Sequence, residues 1–78
     1  MNNYVVDTAA LRKIMIDKGF FSNTALSRSS GVSRNTISKI LDGSIRPSVE
    51  VMDKLSATLE MCPETSGAVF FARNLRGA

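Results

Sequence analysis

The sequence predicts an all-α fold of four to five short helices, on two observations. Aspartate or serine recurs just ahead of each apolar-patterned segment, at Asp7, Ser22, Ser33 and Ser48. A helix needs a side-chain acceptor at that place for its first free N–H groups. Within the segments, apolar residues repeat at helical spacing, as in Leu11, Ile14 and Met15 or Ile37, Ile40 and Leu41, which leaves each helix one stripe to bury. The chain has 78 residues, enough for one domain spanning 1–78. A chain of this length buries about 60 to 65% of the surface its unfolded form exposes, so a small core is expected and a deep enclosed cleft is not.

The first helix is capped by Asp7, with Val6 before the cap and Leu11 at the fourth helical position set for a hydrophobic staple. Lys13 and Asp17 lie one turn apart on its outer face, and Gly19 after Lys18 is its stop. Ser22 caps the second helix, with Phe21 and Leu26 as the expected staple. Ser27, Ser29 and Ser30 weaken that helix inside, so it depends on packing, and Gly31 ends it. Ser33 caps the third, with Val32 and Ile37 as staple, and Asp42-Gly43 closes it. "SIRP", residues 44–47, is a loop. Ser48 caps a fourth helix whose expected inner face is Val49, Met52, Leu55 and Leu59. Pro63 suits the first turn of a fifth, running to about Phe71, with Val69 and Phe70 or Phe71 facing inward. The pairs Phe20-Phe21 and Phe70-Phe71 each bury one ring better than the other. Tyr4-Val5-Val6 and Asn74-Leu75-Arg76 are short enough to pair as a two-stranded clip between the termini.

Composition narrows the function. Hydrophobic residues make up 44% and charged residues 22%, ordinary for a soluble globular fold. No apolar run reaches the roughly 18 residues of a membrane helix, and MNNYVVDT does not read as a signal peptide. There is no histidine, and Cys62 is the single cysteine. An internal disulfide is ruled out, zinc and other metal sites are not expected, and a reducing cytoplasm fits. Cys62 reads as a small buried or half-buried hydrophobe. With no histidine base, phosphate loop or metal cluster, neither an enzyme nor a cofactor is indicated.

Charge points to a partner. Residues 28–46 carry Arg28, Arg34, Lys39 and Arg46 against Asp42 alone, which accounts for the whole net charge of +3. A polyanion is the obvious partner for such a cluster. The short connection around Gly31 sets the second and third helices at a steep angle, so that the third projects from the body. Its inner stripe is Ile37, Ile40 and Leu41, and its outer positions are Arg34, Asn35, Ser38 and Lys39. Arginine and lysine donate to guanine acceptors, asparagine can pair in two-pronged fashion with adenine, and serine adapts to either. The start of this helix, with free N–H groups and Ser33, also suits a phosphate.

"NTALSRSSGVSRNTISKILDG" resembles the helix-turn-helix of phage repressors and Cro-like proteins, the XRE-type domains. The likeness runs from about Ser22 to Leu59 and takes in "DGSIRPS" and "VEVMDKLSATL". Leu26, Gly31, Val32, Ile37 and Ile40 fall where that family keeps core residues and its turn glycine. Ser27 stands where the family usually has alanine, and Asn23 where glutamine is common. The resemblance implies a lambda-repressor-like fold with a recognition helix at about 33–41 in the major groove of a double-stranded DNA operator. Arg34, Asn35 and Lys39 would read bases, with Ser38 a weaker reader. Asn23, Ser33, Ser44 and Arg46 would touch the sugar-phosphate backbone. It further implies a transcriptional regulator acting as a homodimer in a bacterial cell or phage-infected host, with the C-terminal part as the self-association surface. The alternative is a small helix-turn-helix protein whose basic face grips a partner repressor rather than DNA.

Overall fold

The computed structural model describes residues 4–73. The element order is β1 (Tyr4–Val5), α1 (Thr8–Asp17), α2 (Asn23–Ser30), α3 (Arg34–Leu41), α4 (Val49–Thr58), α5 (Pro63–Phe70) and β2 (Ala72–Arg73). All four expected caps form. Asp7 accepts from the Ala10 N–H, Ser22 from Ala25, Ser33 from Thr36 and Ser48 from Val51, at 3.1 to 3.2 Å. Each cap satisfies a donor the helix cannot satisfy internally.

The stripes of the five helices meet in one core. Leu11 and Met15 of α1, Leu26 of α2, Val32 of the turn, Ile37, Ile40 and Leu41 of α3, Leu55 and Leu59, and Val69 and Phe70 of α5 are all buried. Val6 and Ile14 pack against this cluster, as expected of the first staple and stripe. Val32 and Ile37, the third staple, are 4% and 1% exposed.

Two apolar assignments need correction. Phe21 was the expected staple of α2 but is 79% exposed, and Phe20 packs on the core instead. The cause lies at the end of α1. Gly19 adopts φ +87°, its N–H bonds Ile16 O at 3.0 Å, and the Phe20 N–H bonds Met15 O at 2.8 Å. This left-handed closure turns the residue after the glycine back over the last helical turn, so Phe20 goes in and its neighbour goes out. Val49, expected inside, is 73% exposed, while Val51 and Met52 pack against the core. At 100° per residue, the direction shared by residues 51, 52, 55 and 59 lies about 105° from position 49.

The clip forms, displaced from its expected register. β1 pairs antiparallel with β2, Tyr4 opposite Arg73 and Val5 opposite Ala72. Asn74-Leu75-Arg76, the expected partner strand, lies outside the described residues. Pairing starts earlier because α5 ends at Phe70 and the Asp7 N–H already bonds Val69 O at 2.7 Å, which brings β1 alongside the chain as it leaves α5.

Cys62 is likewise corrected. It is exposed, and its Sγ lies 3.2 Å from Thr65 Oγ1. It occupies the extended position before Pro63 opens α5, at the mouth of the helix rather than inside the core. The Thr65 hydrogen bonds hold its thiol below the usual value.

Candidate nucleic-acid interface

The turn between α2 and α3 is built from three residues. Gly31 closes α2 in the left-handed conformation, φ +80° and ψ 4°, with its N–H on Ser27 O at 2.9 Å. Val32 drops its side chain into the core, and its N–H bonds Ser30 Oγ at 3.2 Å. Ser33 then caps α3. The result is a helix with two opposed faces. Ile37, Ile40 and Leu41 are at most 4% exposed, whereas Arg34, Asn35, Ser38 and Lys39 are all exposed. On a 100° wheel the buried residues span one arc of about 100°, and the exposed four span an adjoining arc of about 140°. The sequence places these four together and the structure keeps them on one surface.

The four residues expected at a phosphate backbone are less alike. Arg46 is exposed beyond the end of α3, with its guanidinium carbon 5.9 Å from the centroid of the Phe71 ring. Phe71 in turn meets Tyr4 edge-on, ring centroids 6.2 Å apart. The Arg46 head is thus held over the ring that follows α5, a contact worth about 0.5 to 1 kcal/mol at an exposed site. Asn23 opens α2, half-buried, and lines a shallow groove with Phe20, Phe21 and Arg12. The two serines have internal partners. Ser33 Oγ accepts from the Thr36 N–H and donates to Thr36 Oγ1 at 2.7 Å. Ser44 gives its backbone N–H to Asp42 Oδ1 at 2.8 Å. A hydroxyl has one proton to donate. With Ser33 donating to Thr36, the free hydroxyl proton of that pair is the one on Thr36. Sequence reasoning missed this residue, although its spacing three residues after the cap is visible in "SRNT".

Asp42 anchors the loop that carries Ser44 and Arg46. The Ser44 hydrogen bonds, and after them the charges of Lys39 and Arg12, hold its carboxyl below the ordinary 3.8. A depressed carboxyl stabilises the fold fully above its unfolded value, and the contribution is lost as pH falls through the lower folded value. Wild type and Asp42→Asn should therefore keep a constant difference in melting temperature above about pH 5, and wild type should lose ground to the variant below about pH 4. Parallel melts from pH 7 to 2.5 check this, and a difference that stays constant throughout would remove Asp42 from the loop.

A buried stripe, a left-handed glycine turn and an exposed face of arginine, asparagine, serine and lysine define a helix-turn-helix DNA-binding module. The family model of the Cro/C1-type HTH DNA-binding domain matches residues 10–65, most of the chain, and the chain belongs to that family. The match runs from the third residue of α1 to the first residues of α5. Among curated proteins and solved structures nothing matches. Among the described residues no helix is long and apolar enough to cross a membrane.

Proposed function

We propose that this chain is a single-domain, sequence-specific transcriptional regulator of the repressor or Cro type that lays α3 in the major groove of its operator. The observation carrying this reading is the pair of opposed faces on α3. A stripe almost free of solvent fixes the helix to the body, and the only residues it presents outward are ones that suit base edges. Arg34 and Asn35 in the first turn and Lys39 one turn on are the base readers, and Ser38 is an adaptable neighbour. Arg46 and Asn23 make the firmest backbone contacts. Ser33 serves through the cap it shares with Thr36, and Ser44 through the loop it fixes with Asp42. The protein acts as a homodimer on two half-sites about one helical turn apart, in a bacterial cell or phage-infected host.

Salt dependence tests the reading. Arg46, and more weakly Arg28, are the bases left for phosphates once Arg34 and Lys39 engage bases. A dimer then neutralises two to four phosphates, for a slope of log affinity against log salt of about −2 to −4. Arg46→Ala should weaken binding to every sequence alike and flatten that slope by up to about two units per dimer. Binding of both proteins to a selected site from roughly 50 to 300 mM salt measures it. An absence of binding to any DNA at low salt, together with tight binding to a neighbouring repressor, would replace the DNA target with a protein one.

A further inference from the structure

The last four carbonyls of a helix have no partner within it. Those of α3 can be accounted for one by one. Ser38 O accepts from the Asp42 N–H at 3.0 Å, Lys39 O from Ser44 at 2.9 Å, and Ile40 O from Gly43 at 3.2 Å. Leu41 O, among the described residues, accepts only from Arg12 Nη2, at 3.3 Å. Arg12 lies in α1, 29 residues away in sequence. Neither a cap signal nor a helical period connects the two, so the pattern of the sequence gives no hint of the contact.

We infer that Arg12 is a positioning residue for DNA recognition, a clamp from α1 that fixes the C-terminal end of α3 and the loop that follows it. The inference rests on α3 being the reading helix. Three physical effects act together. The guanidinium satisfies the one end carbonyl that the closing turn leaves over, and an orphaned carbonyl at a partly buried site is costly. Its positive charge sits where the helix dipole is negative. Its charge is also felt weakly by the Asp42 carboxylate, which accepts from the Ser44 N–H. The buried stripe, which includes Ile40 and Leu41 in the last turn, holds α3 against the body, and Arg12 adds a polar tie at the carbonyl from which the following loop departs. Residues 42–46 start from that turn, and they include Arg46. A helix that reads bases from its first residues is displaced at those residues when its far end tilts, so a contact near Leu41 bears on Arg34 and Asn35.

The test compares wild type, Arg12→Met and Arg12→Lys. Arg12→Met keeps the length of an aliphatic stem without charge or donor, and Arg12→Lys restores both. Arg12→Met should bind a selected site about tenfold more weakly when measured well below its melting temperature, and Arg12→Lys should bind within about threefold of wild type. Amide hydrogen exchange of Gly43 and Ser44 should be about tenfold faster in Arg12→Met, with exchange in α5 unchanged. General destabilisation would not produce a change confined to that turn, nor its rescue by lysine. If Arg12→Met does not fold, Arg12→Ala, which likewise lacks charge and donor, takes its place in both measurements. Affinity equal to wild type in the folded variant, or unchanged exchange at those two amides, overturns the clamp. If wild type itself binds no DNA, the DNA reading falls, and the exchange comparison still separates that failure from failure of the clamp.

Discussion

Gly31→Val should lower the melting temperature by about 5 to 20 °C. The estimate combines a backbone penalty of about 1 to 3 kcal/mol with the roughly 4 to 8 °C that each kcal/mol is worth in a domain of this size. Gly31 sits at φ +80°, and a Cβ built on it meets nothing within 4 Å. Crowding therefore contributes nothing, and the whole cost is the intrinsic strain of a left-handed residue with a branched side chain. That origin predicts an order among substitutions. Asparagine, which tolerates the left-handed region, should cost least, alanine more and valine most. A steric origin would instead follow side-chain volume and place asparagine well above alanine. The loss matters because a whole domain is stabilised by only about 5 to 15 kcal/mol. It also falls at the one connection that sets α3 relative to α2, so the chain can relieve the strain only by moving α3. Thermal unfolding of the three variants decides it. An unchanged melting temperature in Gly31→Val would mean the turn does not hold that conformation.

What was legible in the sequence follows from how far each signal reaches. The four caps were readable because a cap and the N–H that donates to it lie three residues apart, so Asp7, Ser22, Ser33 and Ser48 carry their evidence with them. The stripe of α3 was readable because a helix repeats its inward face, and the same period placed Arg34, Asn35, Ser38 and Lys39 outside. Errors gathered where a neighbour decides the direction of a side chain. Phe20 and Phe21 are equivalent by composition, and only the closing geometry at Gly19 separates them. Val49 fits the spacing of its helix but lies off the axis that α4 presents to the core. The clip was anticipated, yet its register depends on where α5 stops and on the Asp7 to Val69 bond across the fold. The site was legible in its first turn and not at its far end. The hydroxyl partner of Ser33 and the carboxylate that accepts the Ser44 N–H follow local spacing and could have been foreseen. The Arg12 contact joins residues with no local relation, and only the packing of α1 against α3 reveals it.

Arg34→Ala should reduce affinity for the operator by about 1 to 3 kcal/mol per half-site, roughly five- to 150-fold, with the loss concentrated at one base pair of each half. Arg34 is the first residue of α3 and is exposed. Among the described residues its guanidinium has no hydrogen bond or ion pair, so its removal takes nothing from the fold, and circular dichroism and melting should match wild type. The loss then has to appear in recognition, in a form that distinguishes base reading from phosphate binding. A phosphate contact is blind to sequence, so its removal weakens all sites equally and lowers the salt slope, as expected for Arg46→Ala. A base contact adds affinity only where the right base pair stands. For Arg34→Ala, affinities for the selected site and for its variant at one position should converge while the salt slope stays close to wild type. Arg34→Lys refines the test. Lysine keeps the charge but lacks the planar fork that engages both guanine acceptors, so it should recover part of the affinity and little of the discrimination. Affinities on a panel of single-base variants of the site, measured at one salt concentration, give all three results. If Arg34→Ala weakens every member of the panel by the same factor, Arg34 is a phosphate contact, and the reading of sequence passes to Asn35 and Lys39 on the same face.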